Sequence, residues 1–162
     1  MSAAPLEAAL RGDLAVWRGL PDDLDDDALA AVAGPGEGPS AGRLSGMPVR
    51  VREDRGTLGR LRAWFDDDDR AFLIWADAPP FGRPAGEILD ELSEPEKRLT
   101  DRPSRFPGTV QWVWAERGLT AYVAEDEHDI RALALFRPGT VAFYEQWLGA
   151  GEGPPYRPRR ER

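Results

Sequence analysis

Apolar and polar residues alternate along this chain in two rhythms, and the change from one to the other marks its elements. Leu6, Ala9, Leu10, Leu14 and Trp17 fall three or four apart, the spacing of one helix face, so residues 3–18 read as a short amphipathic helix with a break near Gly12. Asp22-Asp23-Leu24-Asp25-Asp26-Asp27 supplies caps and first-turn acids for a second helix, with Ala28, Leu29 and Val32 as its stripe and Gly34-Pro35 as its stop. Residues 34–42, rich in Gly and Pro, read as a loop. The rhythm then shortens to two. Pro48 to Glu53 alternates apolar and charged residues, which predicts a strand with one wet face, and 58–65 with 71–76 reads as a hairpin across Asp66–Asp69.

The order then repeats. Ile88, Leu89 and Leu92 reproduce the stripe of the earlier helix, 109–116 reads as a strand with Trp112 and Trp114 on one face, and 119–124 with 130–136 forms a second hairpin around Glu125-Asp126-Glu127. Leu61-Arg62-Ala63-Trp64-Phe65 is echoed by Leu119-Thr120-Ala121-Tyr122-Val123, and each copy continues through an acidic turn and an apolar run to a Pro. Thr140 caps a last helix with Phe143, Tyr144, Trp147 and Leu148 on its apolar side. An internal repeat of this kind implies one supersecondary unit used twice. The expected fold is α+β: a helix–three-strand unit, duplicated, forming a mainly antiparallel sheet of about six strands with helices on one face. Residues 1–149 make one domain, with repeats over about 22–79 and 84–138, and residues 150–162 read as a disordered Arg/Pro tail. In aligning the halves, Val49 and Val51 stand where Trp112 and Trp114 stand later.

Composition narrows the chemistry. The chain has 162 residues, no Cys, a single His (His128) and a single Lys (Lys97), which removes disulfides, thiolate nucleophiles, Cys-based metal sites and most lysine chemistry. Mean hydropathy of −0.50, the lack of an apolar run near the ~20 residues of a membrane span, and an N-terminus without a basic region followed by an apolar core point to a cytoplasmic protein without a signal peptide. The formal charge of −8 hides an asymmetry: residues 157–162 hold four Arg and one Glu, so the remainder stands near −11 by subtraction. So acidic a body repels nucleic acid and favours a partner with a basic face.

No motif for catalysis, metal or cofactor emerges. Asp66–Asp69 and Glu125–Asp129 sit consecutively in turns, where carboxylates splay into water instead of converging on a cleft. His128 lies in the second of these turns without a partner to orient it, and Gly34-x-Gly36-x-Gly38 follows a helix, the wrong context for phosphate. The sharper signal is aromatic. Trp and Tyr are enriched at binding hot spots, which makes Trp64, Trp75, Trp112, Trp114 and Tyr122 candidate anchors, with Asp67, Asp68, Glu125 and Asp126 as steering charges and Arg50, Arg52, Arg62 and Arg117 nearby.

Ile88-Leu89-Asp90-Glu91-Leu92-Ser93-Glu94-Pro95, followed by Gln111-Trp112-Val113-Trp114 and the hairpin from Leu119 to Phe136, resembles the tandem helix-plus-sheet pattern of the β-lactamase-inhibitor-protein and BamE-like (SmpA/OmlA) group. The resemblance implies a protein-binding surface. The chain lacks the Cys pairs of the secreted inhibitor and the lipoprotein signal of the outer-membrane members. Small acidic cysteine-free chains of this size also resemble immunity proteins. The expected function is therefore a non-enzymatic protein-binding module, of immunity or inhibitor type, that occludes a basic partner. The alternative is a small-molecule-binding or enzymatic domain with a Trp-lined pocket between sheet and helices, and a third reading is self-association through the sheet.

Overall fold

The computed structural model describes residues 4–34, 37–44, 47–56, 58–100 and 108–149. Residues 150–162, read above as a disordered tail, lie outside the described residues. Two helices open the chain, α1 (Ala4–Leu10) and α2 (Asp26–Ala33), and four strands follow: β1 (Glu37–Leu44), β2 (Met47–Gly56), β3 (Gly59–Phe65) and β4 (Ala71–Asp77). Then come α3 (Ala85–Asp90), β5 (Lys97–Leu99), β6 (Thr109–Trp114), a 3₁₀ turn at Ala115–Arg117, β7 (Leu119–Ala124), β8 (Ile130–Phe136) and α4 (Val141–Phe143), which continues as a π-helix over Tyr144–Gly149.

All eight strands join one antiparallel sheet in the order β1-β2-β3-β4-β8-β7-β6-β5. The expected six-strand sheet with helices on one face is thus corrected to an eight-strand sheet in a mainly sheet structure, 40% strand against 25% helix among the described residues. The two added strands are the edges. β1 is Glu-Gly-Pro-Ser-Ala-Gly-Arg-Leu, a composition with little strand preference, and its pairing with β2 is made by main chain. An edge is also where a strand tolerates Pro39. At Gly42 a Cβ would collide with the Val51 side chain, so close approach there requires glycine. β5 is only three residues long, too short for a periodic signal.

Each half is a helix followed by a four-strand meander, where a helix–three-strand unit was expected. Trp64 pairs with Leu73 and Phe65 with Ala71, leaving Phe72 as a bulge; Tyr122 pairs with Ala132 and Val123 with Ile130, leaving Arg131 at the same place. The tight turns match as well: Asp69 and Glu127 both adopt left-handed φ, 60° and 64°, although neither is glycine. β4 and β8 pair antiparallel with Ile74 opposite Leu135, Trp75 opposite Ala134 and Ala76 opposite Leu133. This register places a local two-fold axis between Trp75 and Ala134.

The two sheet faces bury separate cores. Leu61, Ala63, Phe65, Ile74, Trp112, Trp114, Leu119 and Leu133 pack beneath α1, α2, α3 and the segment carrying Leu14, Trp17 and Leu20. Trp64, Leu73, Trp75, Tyr122, Ala134 and Phe136 lie on the opposite face, in one cluster with Tyr144 and Leu148 of the last helical segment. Helices thus pack on both faces, against expectation. Trp17 and Arg117 lock the N-terminal segment to the 3₁₀ turn: Trp17 Nε1 donates to Gly118 O at 3.0 Å, and Arg117 Nη2 donates to Leu14 O at 2.6 Å. Gly118 has φ 61°, and a Cβ there would run into the Phe136 carbonyl, so this crossing is built around a glycine.

Register also corrects the alignment of the halves. Arg52 faces Ala63 and Asp54 faces Leu61; Trp112 faces Ala121 and Trp114 faces Leu119. The positions equivalent to Trp112 and Trp114 are therefore Arg52 and Asp54, and not the valines. The face of β2 expected to be wet is turned inward under α2, with Arg52 and Asp54 only 3% and 4% exposed. Arg52 Nε and Nη2 donate to the two Asp54 carboxylate oxygens at 2.8 and 3.1 Å, Nη1 donates to Asp26 Oδ1 at 2.6 Å, and Nη2 also reaches Gly34 O at 3.1 Å. One half holds its helix with a buried ion pair where the other uses two tryptophans.

Candidate docking site

Two aspartate runs that are distant in sequence meet at one end of the sheet. Ala71 N–H donates to Leu24 O at 2.7 Å, and Arg70 Nη1 donates to Asp23 O at 3.3 Å. These bonds hold the stretch before α2 against the β3–β4 turn, so Asp22 and Asp23 sit beside Asp66–Asp69. Local chemistry shapes each stretch. Asp25 caps α2 by accepting from Ala28 N–H at 2.9 Å, and Asp66 Oδ1 accepts from the Asp68 and Arg70 N–H groups at 2.9 and 3.0 Å.

Arg137, just past β8, links the two stretches. Its Nη2 donates to Asp66 Oδ2 at 3.0 Å and to Ala71 O at 3.2 Å, and its Nε stands 4.0 Å from Asp22 Oδ1. Burial pushes the Asp66 carboxyl upward, but the Arg70 and Asp68 N–H groups and the Arg137 guanidinium outweigh it and hold the pKa below its ordinary value. Asp66 is therefore a charged, engaged group, and the outward charge of this end comes from Asp22, Asp23, Asp67 and Asp68, all exposed.

An apolar groove opens beside this acidic end. It encloses about 490 Å³ and is lined by Asp66, Phe72, Arg137, Pro138, Gly139, Thr140, Phe143 and Leu148. Phe143 is 52% exposed, an unusual state for a ring of its size. Thr140 starts the helix by accepting from Phe143 N–H at 3.1 Å, which fixes the wall of the groove.

The residues singled out from sequence divide three ways. Trp64, Trp75 and Tyr122 form a ladder on the second face, with centroids 6.4 Å apart for Trp64–Trp75 and 6.0 Å for Trp75–Tyr122, and all three rings are buried. Trp112 and Trp114 are buried beneath the helices, with Arg98 stacked 4.3 Å from the Trp112 centroid and Trp114 Nε1 donating to Ser93 O. None of the five rings is presented to solvent. Asp67 and Asp68 are exposed at the acidic end, whereas Glu125 and Asp126 are exposed at the opposite end, because β4 and β8 start from opposite ends of the sheet. Of the four arginines, Arg50 pairs with Asp69 and Arg62 with Glu53, while Arg52 and Arg117 are structural.

His128 is 84% exposed, and its Nδ1 lies 3.8 Å from Asp126 Oδ1. It borders a second cavity of about 400 Å³ together with Phe81, Arg83, Asp129 and Arg131. Neither cavity is lined by a Trp, as the pocket expected between sheet and helices would be; the second is bordered by Ala85 of α3 and Ile130 of β8. Among the described residues no group of three or more His, Cys, Asp or Glu is placed to hold a metal ion, and no helix is long and apolar enough to cross a membrane. Sequence reasoning missed Phe72, Arg137, Phe143 and Leu148 as a group. Their one sequence signal is Arg137-Pro138-Gly139-Thr140, a turn and a cap that return the chain across β4.

Comparison of the chain with protein-family models, curated proteins and solved structures found no match. Its functional reading rests on this geometry.

Proposed function

We propose that the chain is a non-enzymatic protein-binding module that docks a basic partner at its acidic end and occludes it. The observation that supports this is the convergence of the 22–27 and 66–69 aspartate runs. Folding places carboxylates from two elements on one surface, while most nearby arginine is already engaged in ion pairs. Such a surface raises the encounter rate with a positively charged partner, and its pull is screened beyond a Debye length, about 10 Å at 0.1 M salt. His128, open to solvent and 3.8 Å from its nearest carboxylate, favours a surface residue over an oriented acid–base group.

The test is affinity capture from lysate of the source cells, using the full chain and a variant with Asp22, Asp23, Asp67 and Asp68 all changed to Asn. The expected result is a basic protein retained by the wild type, eluted by salt and absent from the variant. Equal recovery on both, at every salt concentration, refutes the proposal.

A further inference from the structure

We propose that the groove between Phe72, Phe143 and Leu148 receives one large apolar side chain from an extended segment of a partner protein, with Lys or Arg flanking that side chain on the Asp67–Asp68 rim. This rests on the protein-binding reading and names the contact within it.

Three observations carry the assignment. The volume of about 490 Å³ falls in the range of sites that enclose a ligand-sized group. The lining is apolar apart from Asp66, Arg137 and Thr140; Asp66 and Arg137 neutralise each other at 3.0 Å, so the floor suits an uncharged side chain. The rim beyond Asp66 is negative, and Asp67, Asp68 and Asp22 extend into solvent, which selects cations next to the buried group on that side.

Local backbone geometry adds a reason for the groove to exist. Side chains five residues apart on an α-helix diverge by about 140°. Phe143 and Leu148 are five apart yet line one cavity, because the chain over Tyr144–Gly149 winds as a π-helix with i→i+5 bonding. The π-turn rotates Leu148 back toward Phe143. Straightening it to an α-helix would remove one wall.

Selection of short random peptides from a displayed library against the full chain tests the assignment. The expected outcome is a motif with Leu, Phe or Trp flanked by Lys or Arg. Affinity of the selected peptides should fall at least about tenfold in Phe143→Ser and, separately, in the Asp67→Asn, Asp68→Asn double variant, loss of a hot-spot contact being worth that much or more. Both changes fall on exposed side chains, and thermal unfolding checks that each variant remains folded. Absence of a motif, or peptides indifferent to both variants, overturns the proposal. A synthetic peptide of residues 150–162, which carries Tyr156 beside Arg157, is the control for an occupant from the chain itself. If that peptide alone binds in trans, or if the full chain self-associates through Phe143, the partner assignment is overturned. Binding that survives Phe143→Ser but fails in the acidic variant sinks the groove and leaves the acidic docking surface standing; binding that survives both sinks the two readings together.

Discussion

Replacing the buried ion pair of the first half by apolar residues, singly and together, gives a quantitative test of how the two halves hold their helices. Arg52→Leu removes a guanidinium that is 3% exposed and leaves the Asp54 carboxylate, equally buried, without its two hydrogen bonds. Breaking one side of a buried pair costs about 3–5 kcal/mol. Asp54→Leu should cost less, about 3 kcal/mol, because Arg52 keeps Asp26 and Gly34 O as acceptors. The double variant buries no uncompensated charge at this site. Asp26, one-third exposed, can be solvated once its partner is gone, and the equivalent positions in the other half are apolar already, as Trp112 and Trp114. The double variant should therefore lie within about 1.5 kcal/mol of wild type, with a coupling energy of at least about 4 kcal/mol. Urea unfolding followed by tryptophan fluorescence reads this directly: at a slope of about 2 kcal/mol per M, a loss of 4 kcal/mol moves the midpoint by about 2 M. If the double variant is as damaged as the two singles summed, mutual charge compensation is not what keeps these residues together, and the argument fails.

Two further outcomes follow from the backbone and from charge. Ala78 holds φ 51° while donating its N–H to Arg131 O, a conformation costing an L-residue about 1–2 kcal/mol, so Ala78→Gly should stabilise the protein by about 0.5–1 kcal/mol despite the added unfolded-state entropy; a lower melting temperature in the glycine variant would contradict this. Asp66, whose carboxyl is held below its ordinary pKa, contributes stability that is present above the unfolded value of about 3.9 and is lost as pH falls through the lower folded value. The urea midpoints of wild type and Asp66→Asn should therefore differ at neutral pH and converge as the solution is acidified below about pH 4, and a gap that stays constant with pH would rule out the linkage.

The hairpins and the helix caps were legible because each is a local signal: alternation on both sides of an acidic turn, and an Asp or Thr before an apolar stripe. The edge strand Glu37–Leu44 was not legible, because its side chains say little and its bonds are made by backbone with β2. The alternation in Val49-Arg50-Val51-Arg52-Glu53-Asp54 was read correctly as a strand, but Arg52 and Asp54 of its charged face are buried while Val49 and Val51 pack against the second core. Charge predicts exposure only while no partner is in reach, and Arg52 finds Asp54 two residues on and Asp26 across the gap to α2. The tryptophans were visible as important, and burial makes that importance architectural. The groove was invisible because its walls come from the β4 bulge, the segment after β8 and a π-turn, which no periodicity connects.

Among the described residues, Trp75 stands at the one place in the sheet where the two halves of the molecule confront their own equivalent position. Elsewhere each half can vary freely against different neighbours. At the axis, whatever one half carries faces what its counterpart carries, at the ~5 Å spacing of directly opposed strand residues. Here the pair is Trp75 and Ala134, one large and one small. Two first halves meeting through β4 would set indole against indole, and two second halves meeting through β8 would leave methyl against methyl over a void. The halves are thus complementary in a way that neither is to itself, which favours a first half meeting a second half over two like halves meeting each other.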